Sequence, residues 1–336
     1  MMLNSLAGIV KTILKRLPKN DYPVLNTRLF VLIWLHLIFD KSLGSLRDLF
    51  FRLNHQGIAV DLSTFSKASK NRDYQAFNQI YVSLNSELKK RKGKREHPLY
   101  AIDSTVITLT SKLFWMSGYH QMKLVMGVDA ETGSIGESHV HFGFSNDESF
   151  ADLMMTTVPE NGIAVEDRGF CGFENLLEMS KSGILFIVRI KNNYKLEFSE
   201  EGELVYIGSK KQVKCRVISF CDLETKTEYR FATNVDIEIM SNEEIAEGYR
   251  QRWAIEILWK FLKMHLKLDR LMTKNVNGVT IQIYTILIVY LILQLMQIPQ
   301  IYGNTLLNKL RYVNLILSQE GNLISLSERL FSSSCM

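Results

Sequence analysis

Through residue 95, apolar residues recur at helical spacing. The run TRLFVLIWLHLIFDKSLGSLRDLFFRLN, residues 27–54, predicts helices interrupted near Gly44. The next run, VDLSTFSKASKNRDYQAFNQIYVSLNSEL, predicts two more. Asp61 or Ser63 can cap the first and Asp73 the second. From residue 99 the period becomes that of strands. LYAIDSTVITL, HQMKLVMGVDA and SIGESHVHFGF each predict a strand, the last two joined by the turn Glu131-Thr132-Gly133. NDESFADLMMTTV opens with capping residues and predicts a helix. NGIAVEDRGF predicts a strand, GFENLLEMSKSG a helix stopping at Gly183, and ILFIVRI another strand. The order is βββαβαβ. Residues 195–238 alternate polar and apolar positions, with turn signals at Glu201-Gly202 and near Lys226. The segment 241–271 then predicts one long helix, started by Ser241 with Glu244 three positions on.

Residues 279–296, VTIQIYTILIVYLILQLM, are apolar over nearly the length a membrane-spanning helix needs, about 20 residues. Gln282, Thr285, Tyr290 and Gln294 recur through them, which favours a buried core helix. The apolar patch at the N-terminus precedes Lys11, Lys15 and Arg16, the reverse of the charge order of a signal peptide. No internal repeat or low-complexity tract interrupts the 336 residues. The net charge of +5 is compatible with nucleic acid without pointing to it. The four cysteines, at 171, 215, 221 and 335, form no C-x-x-C pair, and no histidine cluster has zinc spacing. They read as reduced thiols of a cytosolic protein.

Basic residues mark two places. Lys67, Lys70 and Arg72 lie on and between the short helices, an arrangement that suits a helix-turn-helix-like DNA-binding unit or a plain bundle with a solvated turn. KKRKGKR, residues 89–95, reads as a basic linker, solvated or in contact with phosphate.

Three acids stand where chemistry is expected. Asp103 lies inside an apolar strand, where a carboxylate is costly unless it is paired or binds a cation. Asp167 ends a strand before Arg168-Gly169, either as a reactive group or as a turn residue. Glu256 lies midway along the long helix between Ile255 and Ile257. At about 100° per residue, Tyr249, Arg252, Glu256 and Lys263 fall at roughly 0°, 300°, 340° and 320°. That polar stripe is either a carboxylate between phosphate-holding cations or a solvent face with an i,i+4 ion pair. Two aspartates and a glutamate can hold two Mg²⁺ ions about 3.5–4 Å apart, with Mn²⁺ as a substitute. Arg168 can meet phosphate or pair with Glu166 or Asp147. His139 and His141 read as neighbours on one face of a strand, and Trp115 and Tyr119 as packing or base-stacking residues.

The spacing Tyr249-x2-Arg252-x3-Glu256-x6-Lys263 resembles the Y-R-E-K signature of the IS-four family of bacterial insertion-sequence transposases. Asp103 in AIDST and Asp167 in EDRGF resemble that family's two catalytic aspartates, and SLRDLFF…STFSKASKNRDY resembles a helical domain often found ahead of them. The resemblance spans roughly residues 25–295. It implies an α/β fold: an RNase H-like catalytic domain with a β-rich insertion, preceded by a helical N-terminal DNA-binding domain. The corresponding parts are residues 1–95 for the helical domain, 96–194 and 239–300 for the two parts of the core, 195–238 for the insertion, and 301–336 for a tail or helix. It implies Asp103, Asp167 and Glu256 as the metal-binding catalytic residues, and Tyr249, Arg252 and Lys263 as contacts to a DNA end. The implied enzyme works in the bacterial cytoplasm at the nucleoid. It cuts insertion-sequence ends and joins them to target DNA, as a homodimer on terminal inverted repeats. Some relatives stack a flipped base on an aromatic residue of the insertion. Residues 195–238 hold no tryptophan, and Tyr206, Phe220, Tyr229 and Phe231 are candidate substitutes. The competing readings are a transposase-derived DNA-binding protein that no longer cuts, another RNase H-like nuclease, and a membrane protein built on residues 279–296.

Overall fold

The computed structural model describes residues 5–19, 21–93, 95–144, 151–170, 172–191, 194, 196–198, 205–207, 213–221 and 228–332, without the side chains of 151, 152, 154, 206 and 329–332. Helices α1 (Leu6–Lys15), α2 (Thr27–Phe39), α3 (Leu46–His55), α4 (Leu62–Asn71) and α5 (Gln75–Lys92) come first. They are followed by β1 (Leu99–Thr108), the one-turn α6 (Lys112–Trp115), β2 (Gln121–Asp129), β3 (Ile135–Phe142), α7 (Ala151–Thr157), β4 (Ile163–Glu166), α8 (Phe173–Lys181) and β5 (Leu185–Arg189). Then come β6 (Leu196–Phe198), β7 (Val205–Ile207), β8 (Val213–Cys221), β9 (Glu228–Thr233), α9 (Asn242–Arg250) and α10 (Trp253–Leu266). The chain closes with α11 (Val276–Leu295), α12 (Leu306–Glu320) and α13 (Leu323–Ser332). The fold is mixed α/β, and its contacts divide it into two compact units.

The first unit holds Met1–Arg91, Leu109–Gly118 and Lys260–Met336. Every residue of α2 from Phe30 to Phe39 is buried, so this helix is apolar all round and sits inside the bundle. Phe65 of α4 packs its ring against Phe30, Trp34 and Phe50. Helix α11 is long and apolar enough to cross a bilayer, but most of it is buried, against α2, α4 and α12. Its polar residues are used internally. Gln282 accepts from the Met272 N–H at 2.8 Å and donates to the Arg270 carbonyl at 2.9 Å, and Thr285 donates to the Ile281 carbonyl at 2.7 Å. Lys267 donates to the Leu37 carbonyl and, at 2.6 Å, to that of Asp40, closing the C-terminus of α2. The basic stretch 89–95 begins as the last turn of α5 rather than as a linker.

The second unit holds Lys92–Thr108 and Tyr119–Trp259. Among the described residues, nine strands run in the order β3-β2-β1-β4-β5-β9-β8-β7-β6. The pairs β1–β4 and β4–β5 are parallel, and the others are antiparallel. Side chains alternate between the faces of the sheet. Ile102, Ala164, Phe186 and Val188 pack with Leu176 and Met179 of α8. Leu99, Ile163, Val165 and Ile187 pack with Ile245 of α9. Helices thus cover both faces of the central strands. Gly136 allows a close approach: a Cβ there would lie 1.7 Å from the Thr157 carbonyl oxygen.

The single helix expected over 241–271 is two. The bonds Ala254 N–H to Gln251 O and Ile255 N–H to Arg252 O span three residues rather than four, and this tighter turn separates α9 from α10. The capping box of Ser241 and Glu244 is present. Residues 145–150, expected to start α7, and the turns at 201–202 and 226 lie outside the described residues.

Candidate active site

The parallel strands β1 and β4 lead towards two of the acids. Leu99 pairs with Ile163 and Ala101 with Val165; Asp103 lies two residues further along β1, and Asp167 is the residue that follows the last one of β4, Glu166, rather than a strand position. Of the odd-numbered positions before them, Leu99, Ile163 and Val165 pack with Ile245 of α9. The even-numbered Glu166 faces α8 instead. It is fully buried and accepts from Asn175 Nδ2 at 3.2 Å. Burial pushes its carboxyl up to about 8, and the Asn175 bond opposes that only in part. The same Asn175 Nδ2 donates to the Phe170 carbonyl at 2.7 Å, so one amide ties the Glu166 carboxyl to the end of the Asp167–Phe170 turn.

Each candidate carboxylate meets a protein donor. Trp259 donates its indole N–H to Asp103 Oδ2 at 3.1 Å. The Tyr249 hydroxyl donates to Asp167 Oδ1 at 3.3 Å. Arg252 donates to Glu256 Oε1 at 2.6 Å, the i,i+4 pair expected from the spacing. Arg252 also lies 5.8 Å from the Tyr249 ring centre. Burial and the adjoining Asp167 push the Tyr249 hydroxyl up to about 12, so it is neutral and able to donate at neutral pH. Burial works against the charge of Arg252, but the Glu256 bond and the neighbouring negative charges outweigh it and raise its pKa.

Asp103, Asp167, Tyr249, Arg252 and Glu256 therefore belong to one unit. Lys263 follows on α10 where the chain passes into the other unit. Arg168 is exposed, and its backbone N–H meets Asp167 Oδ1 at 2.7 Å. Of its two expected partners, Glu166 is turned to Asn175, and Asp147 lies outside the described residues. Trp259 and Asn175 were not singled out from the sequence. Trp259 stands three residues after Glu256, one helical turn, and that spacing was the one available signal.

Among the described residues, no three His, Cys, Asp or Glu side chains stand close enough to hold a metal ion, and Glu256 is paired with Arg252. In kind, the donor set is all carboxylate oxygen and fits a hard divalent cation.

His139 bonds Thr156 Oγ1 at 2.6 Å, and the ring of Tyr119 lies 5.7 Å from that of Phe142. In the helical unit, Trp115 donates to the Leu109 carbonyl at 2.6 Å. Phe231 is buried 4.5 Å from the Tyr249 ring, and Tyr229 stacks beside Phe231 under Arg189. Phe220 is partly exposed, near Arg250, and the side chain of Tyr206 is outside the described residues.

Residues 94–292 match the family model described as "Transposase DDE domain". The chain is 45% identical over 327 residues to the "Putative transposase for insertion sequence element IS4SA" of Synechocystis sp., covering 95% of this chain and 96% of that protein. It is 25% identical over 264 residues to the "Probable transposase for insertion sequence element IS5377" of Geobacillus stearothermophilus, covering 69% of this chain and 66% of that one. A match over more than half the chain, together with a relative similar from end to end, places the chain in the DDE transposase family, enzymes that act on DNA.

Proposed function

We propose that this transposase cuts the terminal inverted repeats of an insertion sequence and transfers the freed 3′ ends into target DNA. The observation that carries the reading is that Asp103 of β1 and Asp167, just past the neighbouring parallel strand β4, each accept a hydrogen bond from the α9–α10 stretch, from Trp259 and Tyr249 respectively. The strand order β3-β2-β1-β4-β5 supports an RNase H-like core. The spacing of Tyr249, Arg252, Glu256 and Lys263 supports the IS-four family and its Y-R-E-K signature.

DDE transposase domains use divalent metal ions. In this reading Asp103, Asp167 and Glu256 hold two Mg²⁺ ions, for which Mn²⁺ substitutes. When bound, such a pair supplies activation of the attacking oxygen and stabilisation of the leaving one. Tyr249 keeps Asp167 oriented through its hydroxyl. Arg252 has the planar fork suited to a phosphate oxygen, so DNA draws it away from Glu256 and leaves that carboxylate for the cations. Lys263 and Arg168 add positive charge for the DNA end. Residues 1–95 bind the repeats, the enzyme acts as a homodimer on paired ends, and it works in the bacterial cytoplasm at the nucleoid.

The test is cleavage of labelled DNA carrying the element's own terminal repeat with Mg²⁺, comparing wild type with Glu256→Ala. Cutting by wild type alone supports the triad. Equal cutting by both removes Glu256 from the mechanism. Binding without cutting by either makes the chain a DNA-binding derivative, and cutting without joining makes it a nuclease.

A further inference from the structure

We infer that the outward face of α4 is the duplex-reading surface of this protein, entering a DNA major groove with Ser63, Ser66, Lys67, Lys70 and Asn71. The inference rests on the proposed binding of DNA by residues 1–95 and names the element that does it. These five residues are all exposed and recur at i, i+3, i+4, i+7 and i+8, so they form one stripe of the helix. The stripe holds two cations, two hydroxyls and an amide. No acid occurs within α4, and Asp61 and Asp73 lie beyond its ends. Among the described residues, neither Lys67 nor Lys70 has an ion-pair partner, unlike Arg52 and Arg91, which pair with Asp48 and Glu87. Lysine, asparagine and serine are side chains that meet base edges and phosphates, and a helix about 10–12 Å across fits a groove of about 12 Å. The charge of the face is complementary to DNA and offers no repulsion to it.

The opposite face is fixed. Phe65, Ala68 and Ser69 are buried, and the Phe65 ring is enclosed by Phe30, Trp34 and Phe50. Asn277 of α11 donates to the Ser69 and Arg72 carbonyls at 2.9 and 2.8 Å, which closes the C-terminal end of α4. A stripe held this firmly is presented in one orientation, as sequence reading requires. Arg72, grouped with the two lysines from the sequence, is excluded from the face. Its guanidinium lies 3.8 Å from the Tyr22 ring centre and donates to the Leu25 carbonyl.

The experiment measures binding of the full chain, without divalent cation, to a duplex taken from the DNA flanking the coding sequence and to a scrambled duplex of equal length, across a salt series. Lys67→Ala with Lys70→Ala is expected to weaken binding at least tenfold and to lower the salt slope by about 2. Asn71→Ala is expected to lose about tenfold in preference for the flanking duplex. All five positions are exposed, so thermal midpoints should stay unchanged, and Arg72→Lys serves as a variant outside the face. Unchanged affinity and salt slope in the double variant would overturn the inference. So would loss of affinity with the preference intact in Asn71→Ala and Ser66→Ala. Wild-type cutting with unaffected α4 variants would sink this inference alone, whereas α4-dependent binding without cutting would sink only the cleavage reading.

Discussion

Trp259 donates to Asp103 from one turn beyond Glu256, so a single helix places a carboxylate and steadies another. Trp259→Phe keeps the ring and deletes the donor. The expected result is a native fold with half-saturating Mg²⁺ raised about 10- to 100-fold, read by direct cation titration as well as by cleavage. An unchanged cation affinity would leave Trp259 as packing only. His36 sets a different dependence, one of stability. It is buried in α2, and burial lowers its pKa from 6.5 to about 4. The folded state therefore binds the proton less readily than the unfolded state. The stability is present above pH 6.5 and is lost as pH falls towards 4, by at most about 3 kcal/mol. Urea midpoints measured across that window should fall in the wild type and stay flatter in His36→Phe.

At the scale of elements, the break between α9 and α10 lets one stretch of chain serve two acids. Tyr249 ends α9 at Asp167, and α10 begins again with its own phase to carry Glu256 and Trp259. Helix α11 shows the same economy in the bundle. Gln282 satisfies the Met272 N–H and the Arg270 carbonyl, both part of the turn that leads into it. Gln282→Leu leaves these groups without partners in an apolar interior. The expected loss is about 2–4 kcal/mol, measured by denaturant unfolding. A loss below about 0.5 kcal/mol would mean that the turn finds other partners.

For the whole molecule, the decisive quantity is the number of chains on the DNA. If the enzyme acts as the proposed homodimer on paired ends, mass photometry with the flanking duplex finds two chains per complex. A single chain that still cuts and joins would remove the homodimer from the mechanism. The apolar α11 belongs to this scale too. Its burial against α2, α4 and α12 accounts for its hydropathy by packing inside the bundle.

The change of period near residue 95, the acids in and just after strands and the spacing of Tyr249, Arg252 and Glu256 were open to reading because they are local. Alternation and helical spacing are properties of neighbours in the chain, and the Arg252–Glu256 pair lies within one turn. The tertiary structure decided the rest. It chose between phosphate-facing and internal roles for Arg72, because only packing puts Tyr22 and Leu25 around it. It gave Trp259 a partner 156 residues away, and it turned Glu166 into the sheet's opposite face, towards Asn175. Strand register and helix docking set such meetings, and both arise from the simultaneous burial of many distant side chains, which no local pattern records.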